Sequence, residues 1–149
     1  MTINNLTSGS LSGLRILDLT RVWAGPLATR IYGDYGADVI KISDPRVPLV
    51  TENGLNSKLN RNKRNIGLRL DKSKGRQIFL ELTSISDLVI ENFRPRVMRN
   101  LDLTYETLLK VNPHIIMCSM PGFGLEGPYA EYPAFGTTAE ALAGIPGLM

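Results

Sequence analysis

Short apolar runs alternate along this chain with segments of helical periodicity, and this alternation limits the fold more than any other feature. Five runs rich in apolar and β-branched residues have the pattern of strands: residues 15–20, 38–43, 65–70, 87–93 and 115–120. Between them, the apolar spacing predicts helices at residues 24–36, 72–86, 96–100 and 104–111. Strands that alternate with helices favour parallel pairing. The sequence therefore predicts an α/β fold, an open, doubly wound and mostly parallel sheet with helices on both faces.

Three segments lack this regularity. Residues 1–12 are rich in Asn, Ser, Thr and Gly without an apolar period, so we expect a flexible leader before a folded domain at residues 13–149. Residues 44–64 are long and aperiodic, and we expect a loop there, of the kind that is usually functional or mobile. Residues 137–149 begin a helix that no strand follows, so we expect a sheet that is incomplete at the C-terminus.

The composition excludes several classes of protein. The 149 residues include 43% hydrophobic and 21% charged residues, as one folded domain does. No apolar run approaches the roughly 18 residues of a membrane-spanning helix, so we expect a cytoplasmic protein with no membrane partner. A single cysteine, Cys118, excludes an internal disulfide, and a single histidine, His114, excludes a metal site built from several histidines. We predict no metal site.

Basic residues concentrate in one part of the chain. Residues 58–76 carry eight of the 17 Lys and Arg residues and are opposed only by Asp71. Such a stretch indicates either a solvated basic face or a polyanionic partner. The aromatic residues on which single-stranded nucleic acids stack are absent from it. We therefore predict no nucleic-acid partner.

A glycine-rich sequence follows the last predicted strand. Gly122 to Gly127 spells GxGxxG, the pattern of dinucleotide-binding loops. That pattern requires a helix beginning at the third glycine, whereas Pro128 and an aperiodic run follow it here. We therefore interpret the sequence as a loop in which glycine permits close approach of the backbone.

Two sequences lie where such a sheet binds ligands, at the carboxyl ends of its strands. The first, Arg21 to Pro26, forms the first strand-to-helix turn, where backbone amides and a guanidinium suit a phosphate. The second, Glu91 to Pro95, combines a carboxylate, an amide, an aromatic ring and a guanidinium. Structural roles are the alternatives: Trp23 would plug the sheet edge, Asn92 would close a turn, and Phe93 would fill the core.

Six sequences in order along the chain carry a resemblance to a known family. They are LSGLRILDLTRVWAGP at residues 11–26, GADVIKI at 36–42, NRNKR at 60–64, ENFRP at 91–95, NPHII at 112–116 and SMPGFGLEGP at 119–128. In these the chain resembles the class III CoA-transferase family, which includes formyl-CoA transferase, the carnitine CoA-transferases and the α-methylacyl-CoA racemases. The resemblance runs from residue 11 to residue 149 and covers only the N-terminal portion of such an enzyme.

The resemblance implies a Rossmann-like domain that binds an acyl-CoA along its strand ends. It assigns the CoA contacts to eight residues: Arg21, Val22, Trp23, Ala24, Leu68, Asn92, Phe93 and Leu101. In this family coenzyme A or acyl-CoA is a substrate, and no cofactor is bound permanently. The implied partners are an acyl-CoA, a small carboxylic acid and a second copy of the chain in an interlocked homodimer.

The resemblance also implies a reaction. The family transfers CoA from an acyl-CoA thioester to a carboxylic acid through an aspartyl intermediate. Its nucleophilic aspartate lies beyond the segment that this chain resembles, so no catalytic residue is assigned here and the chain alone is expected to be inactive. Phe135 stands where racemase members place a catalytic histidine, which disfavours a racemase. The alternative is a noncatalytic truncated remnant or a CoA-binding module.

The chain departs from the family pattern near the predicted strand ends. Five residues differ: Ser43, Asp71, Arg96, Asn100 and Asp102. The family usually has glutamate, lysine, glycine, arginine and glycine at these positions. Two neighbouring cations, Lys72 and Arg99, are the candidates to replace the lost positive charges.

Overall fold

The sheet has five parallel strands, as the alternating apolar runs predict. The computed structural model describes residues 9–47 and 54–148. The strands are β1 (Arg15–Asp18), β2 (Asp38–Ser43), β3 (Lys63–Gly67), β4 (Leu88–Glu91) and β5 (Ile116–Ser119). They pair in the order β3-β2-β1-β4-β5, and every neighbouring pair is parallel. The predicted α/β class is therefore confirmed.

In the described part of the chain, six helices connect or follow the strands: α1 (Ala24–Asp34), α2 (Gly54–Asn60), α3 (Ser73–Thr83), α4 (Pro95–Asn100), α5 (Tyr105–Leu109) and α6 (Gly136–Leu142). α1 begins at the turn predicted from Pro26, because proline in a first helical turn removes no donor that the helix needs. It ends before Gly36, whose φ of 98° is a backbone conformation that glycine adopts readily. No helix in the described ranges is long and apolar enough to cross a membrane.

Apolar side chains cover both faces of the sheet. Successive residues of a strand point to opposite faces, so Leu17 of β1 belongs to the larger buried cluster and Ile16 to the smaller one. The larger cluster includes Phe79 of α3 and Leu108 of α5. Tyr32 of α1 packs against the smaller cluster. Helices therefore lie on both faces, as predicted.

The prediction of one long loop at residues 44–64 was wrong. α2 occupies Gly54–Asn60, and β3 runs from Lys63 to Gly67 instead of over residues 65–70. β3 is an edge strand, so Arg64 and Asn65 face solvent and the strand has no apolar alternation to reveal it. Residues 48–53 lie outside the described residues.

The other elements differ from prediction mainly at their ends. β1, β4 and β5 end one or two residues earlier than predicted, and β2 has the predicted bounds. The helix expected from residue 137 onward ends at Leu142, because Gly144 adopts a left-handed φ of 79°, and a 3-10 helix follows at Ile145–Leu148. Of the predicted leader, residues 1–8 lie outside the described residues, while Leu11 donates its backbone N–H to the Tyr35 carbonyl oxygen at 3.0 Å.

The two edges of the sheet differ in character. On the β3 side, the exposed Arg64 guanidinium lies 2.6 Å from the Asp38 carboxylate of the neighbouring strand. On the β5 side, Ile116 is 62% exposed, and within residues 9–47 and 54–148 the only strand that pairs with β5 is β4. One edge is therefore charged and the other apolar.

A buried ionic cluster joins the first three strands to α1. The Asp18 carboxylate, at the end of β1, is fully buried. Its Oδ1 accepts hydrogen bonds from the Thr20 backbone N–H at 2.8 Å and the Lys41 ammonium at 3.3 Å. Its Oδ2 accepts hydrogen bonds from the Thr29 hydroxyl at 2.7 Å and the Lys63 ammonium at 3.0 Å. We call these five residues the Asp18 cluster.

The Asp18 cluster fixes the β1–α1 turn. Lys63 also donates to the Pro26 carbonyl oxygen at 2.8 Å, and Lys41 donates to the Thr20 carbonyl oxygen. Burial opposes the charge on Asp18, but the two ammonium groups and the Thr20 and Thr29 hydroxyls together hold the pKa of this carboxyl below its usual value. Burial lowers the pKa of both lysines, and the Asp18 carboxylate counters that effect. Both strands β2 and β3 therefore depend on one anion in β1.

We expect Asp18→Asn to lower the free energy of unfolding by about 3–5 kcal/mol at pH 7, because it leaves two buried ammonium groups without their anion. Denaturation by urea measures this loss. The loss should shrink as the pH falls through the folded pKa of Asp18, because protonation then removes the same charge from the parent protein.

Asp102→Asn is the matched control, because Asp102 pairs at the surface with Arg76, and the two side chains are 65% and 39% exposed. The control should cost far less stability than Asp18→Asn. A second change, Lys63→Met, should recover part of the stability that Asp18→Asn loses. Equal losses in the two asparagine variants would contradict the role given to the Asp18 cluster.

Candidate functional site

A cleft of about 800 Å³ opens at the carboxyl edge of the sheet. Its walls come from the β1–α1 turn, the end of β2, the residues after β3, the end of β4 and the segment before α6. This is the edge at which open α/β sheets bind ligands. The cleft is within the size range of small-molecule sites.

The structure brings all eight predicted CoA-contact residues to this one cleft: Arg21, Val22, Trp23, Ala24, Leu68, Asn92, Phe93 and Leu101. They come from four separate parts of the chain. Their role in binding CoA stays a prediction, but the fold places them around a shared space.

The β1–α1 turn presents two large apolar side chains to the cleft. Val22 is 72% exposed and Trp23 is 53% exposed, so Trp23 is not buried as a plug of the sheet edge. Below this turn, Gly25 packs against Thr20, where an added Cβ would meet the Thr20 Cβ at 2.3 Å. Glycine is therefore needed for α1 to approach the end of β1 this closely.

The end of β4 is bonded to the same turn. The Asn92 side-chain Oδ1 accepts a hydrogen bond from the Arg21 backbone N–H at 2.8 Å, and Nδ2 donates to the Arg21 carbonyl oxygen at 2.9 Å. The Arg21 guanidinium lies over the Phe93 ring, 5.3 Å from its centroid, a cation–π contact. Asn92 therefore stabilises a turn, as the structural alternative predicted. The turn is the β1–α1 turn, 71 residues earlier in the sequence.

Glu91 anchors this strand end from inside the protein. It is 2% exposed, and its carboxylate accepts a hydrogen bond from the Phe93 backbone N–H at 2.7 Å. Burial raises the pKa of Glu91, against the opposing hydrogen bond from Ser119. The backbone on both sides of Asn92 is thereby fixed.

The floor of the cleft is apolar. Leu19, Ile42 and Leu68 are buried in the larger core cluster and also line the cleft. Leu68 lies just after β3, and its backbone N–H donates to the Ser43 carbonyl oxygen at 2.9 Å. The cleft therefore has an apolar base and a polar, charged rim.

Four charged side chains pair with one another at and beside this rim; Asp44, Arg46 and Asp71 line the cleft, and Arg69 bonds to Asp71 from outside it. The Arg46 guanidinium lies 2.5 Å from Asp44 and 3.8 Å from Asp71, and the Arg69 guanidinium lies 2.6 Å from Asp71. Hydrogen bonds from Arg69 lower the pKa of Asp71 to about 2, and those from Arg46 lower the pKa of Asp44. We call these residues the rim quartet. Its charges sum to zero.

Only two of the five departures from the family pattern line the cleft, Ser43 and Asp71. Asp102 pairs with Arg76, and Arg96 lies 4.0 Å from Glu131. The candidate replacement cation Arg99 is bonded to Glu131 at 2.6 Å and does not line the cleft, and neither does Lys72. Lys72 and Arg99 therefore do not replace the lost positive charges at the cleft, contrary to prediction.

The basic stretch at residues 58–76 is largely paired within the fold. Five of its cations bond to aspartates: Arg61 to Asp34, Lys63 to Asp18, Arg64 to Asp38, Arg69 to Asp71 and Arg76 to Asp102. Aspartates of the same fold thus neutralise five of the eight positive charges in this stretch.

The glycine-rich sequence forms a loop. Gly124 and Gly127 have φ values of 82° and 98°, and no helix begins at Gly127, since α6 starts at Gly136. Gly122 lines the cleft, and an added Cβ there would meet the Ala134 Cβ at 2.2 Å. The interpretation of a close backbone approach fits this contact.

The described residues offer no cluster of three or more His, Cys, Asp or Glu side chains placed to hold a metal ion. His114 is exposed, and Cys118 is half-buried against the smaller core cluster. Neither residue lines the cleft.

Sequence reasoning did not select several other residues that line the cleft. They include Ile42, Asp44, Arg46, Val97, Met120 and Pro133 to Ala134. For Ile42, Asp44 and Met120 a signal existed, because each lies next to the end of a predicted strand. For Pro133 and Ala134 there was none, since the loop that carries them has no periodicity.

Comparison with known proteins identifies a family and a shared fold. The family model for CoA-transferase family III matches residues 11–149. An acetyl-CoA:oxalate CoA-transferase from Acetobacter aceti is 43% identical over 146 residues, covering 92% of this chain and 38% of that protein. A succinyl-CoA:glutarate CoA-transferase from Mus musculus is 40% identical over 145 residues, covering 91% of this chain and 33% of that protein.

A solved structure has the same fold. The crystal structure of a CAIB/BAIF family protein from Brucella suis superposes with a TM-score of 0.83 at 33% identity, covering 92% of this chain and 40% of that one. The chain spans between a third and two fifths of the length of the relatives named here. On the match over residues 11–149, the chain belongs to CoA-transferase family III.

Proposed function

We propose that the cleft binds the CoA part of an acyl-CoA, and that the chain is the N-terminal, CoA-binding segment of an enzyme that moves CoA from an acyl-CoA thioester to a carboxylic acid. One observation carries this proposal: eight residues from four parts of the chain, assigned to CoA by family resemblance, line a single cleft at the ligand edge of the sheet. Oxalate and glutarate appear in the names of relatives, so a small carboxylic acid is the proposed acceptor.

The cleft has groups that suit each part of CoA. The exposed ring of Trp23 and the apolar floor suit the adenine and the pantetheine arm. The Arg21 guanidinium, held over Phe93 at the rim, suits a phosphate oxygen. CoA itself is a substrate in this proposal, and no permanently bound cofactor is part of it.

The proposed reaction uses a carboxylate that lies beyond these 149 residues. An aspartate oxygen attacks the thioester carbonyl, which releases the CoA thiolate and leaves a mixed anhydride. The thiolate then attacks the aspartyl carbonyl, which forms an aspartyl-CoA thioester and releases the donor acid. The acceptor carboxylate attacks that thioester, which releases the CoA thiolate and forms a second mixed anhydride between the acceptor and the aspartate. The thiolate then attacks the acceptor carbonyl, which forms the product thioester and frees the aspartate carboxylate.

The proposal includes a homodimer in the cytoplasm. The exposed Ile116 on the β5 edge supports contact with further protein, and a single half-buried cysteine is in keeping with a reducing compartment. Neither a nucleic acid nor a membrane is among the proposed partners. The alternative function is that of a noncatalytic CoA-binding module, which the same cleft would serve.

We expect Trp23→Ala to weaken CoA binding about tenfold, because the variant removes an aromatic wall of the cleft. Isothermal titration of CoA into the 149-residue chain measures the affinity. Tyr105→Ala is the matched control, since Tyr105 is a similarly exposed aromatic residue on α5, outside the cleft. The control should bind CoA like the parent.

The same preparation tests two parts of the proposal, the position of the nucleophile and the CoA cleft. An assay of CoA exchange between acyl-CoA and free acids should give no turnover with this chain alone. Turnover would overturn the position proposed for the nucleophile, and failure of the parent chain to bind CoA would overturn the CoA cleft itself.

We expect Asp71→Asn to tighten CoA binding, by about two- to fivefold, the range set by exposed ion pairs. The change frees Arg69 and Arg46 from an aspartate and gives the rim a net positive charge toward the phosphates. Titration at two salt concentrations measures the effect, and the gain should fall at the higher one. Glu81→Gln makes the same charge change on α3 away from the cleft and should leave the affinity unchanged.

A further inference from the structure

Val22 has a backbone conformation that its side chain disfavours. Its φ is 69°, in the left-handed region. Two other non-glycine residues of the described chain share that region, Asn62 and Asp102, but asparagine and aspartate tolerate it through their short polar side chains. A β-branched residue there is an outlier that the surrounding structure must hold in place.

The strained residue lies between two functional neighbours. Arg21 precedes it and extends over Phe93, and Trp23 follows it and lines the cleft. In an ordinary extended or helical conformation at Val22, the chain would leave β1 in another direction. The side chains of Val22 and Trp23 would then not stand at the cleft as they do here.

Asn92 bonds to the backbone of the residue that precedes Val22. Its carboxamide bonds to both backbone polar groups of Arg21, at 2.8 Å and 2.9 Å. A carboxamide offers one acceptor and two donors, whereas a carboxylate only accepts and an apolar side chain does neither. The Glu91 carboxylate accepts a hydrogen bond from the Phe93 backbone N–H, and this bond fixes the backbone on either side of Asn92. The Asn92 side-chain oxygen and nitrogen thus each make a bond to the backbone of Arg21.

We propose that Asn92 is a positioning residue for the CoA cleft: it contributes by holding the Arg21–Val22 backbone in its strained, left-handed turn, which presents Val22 and Trp23 to the ligand. This inference rests on the proposed function and assigns to Asn92 a role through Arg21 instead of a polar bond of its own to CoA. The strain at Val22 makes the bonds of Asn92 necessary.

A double-mutant cycle between Asn92→Ala and Val22→Gly tests the inference. Glycine adopts the left-handed conformation readily, so a chain with Val22→Gly needs the Asn92 bonds much less. Asn92→Ala should weaken CoA binding about tenfold in the parent, as the loss of two hydrogen bonds predicts, and only about twofold in the Val22→Gly background. Calorimetry with CoA gives the four affinities.

Amide hydrogen exchange gives a second readout that needs no ligand. In the parent, the Arg21 N–H is bonded to Asn92 and should exchange slowly. Asn92→Ala should speed its exchange at least about tenfold relative to the buried Val89 amide of β4, which corrects for any change in global stability. Asn92→Asp, which keeps the acceptor and loses the donor, should fall between the parent and the alanine variant.

Asn112→Ala is the matched control. Asn112 also bridges distant backbone groups, donating to the Thr83 and Ser86 carbonyl oxygens at 3.0 Å and 2.7 Å, but it lies outside the cleft. The control should lower stability without changing CoA affinity or exchange at Arg21.

Equal losses of affinity in the two backgrounds would overturn the inference, as would unchanged exchange of the Arg21 amide in Asn92→Ala. Lack of CoA binding by the parent chain would instead overturn the proposed function. In that case the Arg21 exchange still decides whether Asn92 holds the turn.

Discussion

The structure depends on the compensation of one buried carboxylate by two buried ammonium groups. Asp18 ends β1, Lys41 lies on β2 and Lys63 begins β3, so the ion pairs cross three adjacent strands. Charges removed from water are tolerated only where partners and hydrogen bonds replace the solvent. Thr20 and Thr29 supply those bonds from the β1–α1 turn and from α1. The register of the strands and the start of the helix are therefore set together.

The cleft is built between this cluster and a second anchor on β4. On one side, Lys63 bonds to the first turn of α1 through the Pro26 carbonyl oxygen. On the other side, Asn92 bonds to the backbone of Arg21. Trp23 lies between the two anchors and remains 53% exposed. Its position is set by the backbone around it, and about half of its surface is accessible to a ligand.

The sequence predicted what local patterns determine and failed where distant partners decide. β2 has the predicted bounds because its buried apolar residues, Val39, Ile40 and Ile42, lie close together in the sequence. β3 begins two residues earlier than the sequence predicts. The side chain of Lys63 is buried through its bond to an aspartate 45 residues earlier, and no local pattern marks a lysine as buried. Eight of the cleft residues were predictable from family resemblance, and several others lie at predicted strand ends. The pairing of Asn92 with Arg21, and of Gly122 with Ala134, was not, since each contact joins segments that only the folded chain brings together.

The unequal edges of the sheet bear on how the protein behaves at high concentration. Along β3, the charged Arg64 sets a desolvation cost on any foreign strand that approaches. Along β5, the apolar Ile116 sets no such cost, and main-chain groups on that side are a template for pairing. Unwanted pairing between copies of the chain would thus begin at the β5 edge. Ile116→Lys would place a charge at that edge and suppress such pairing during handling and crystallisation.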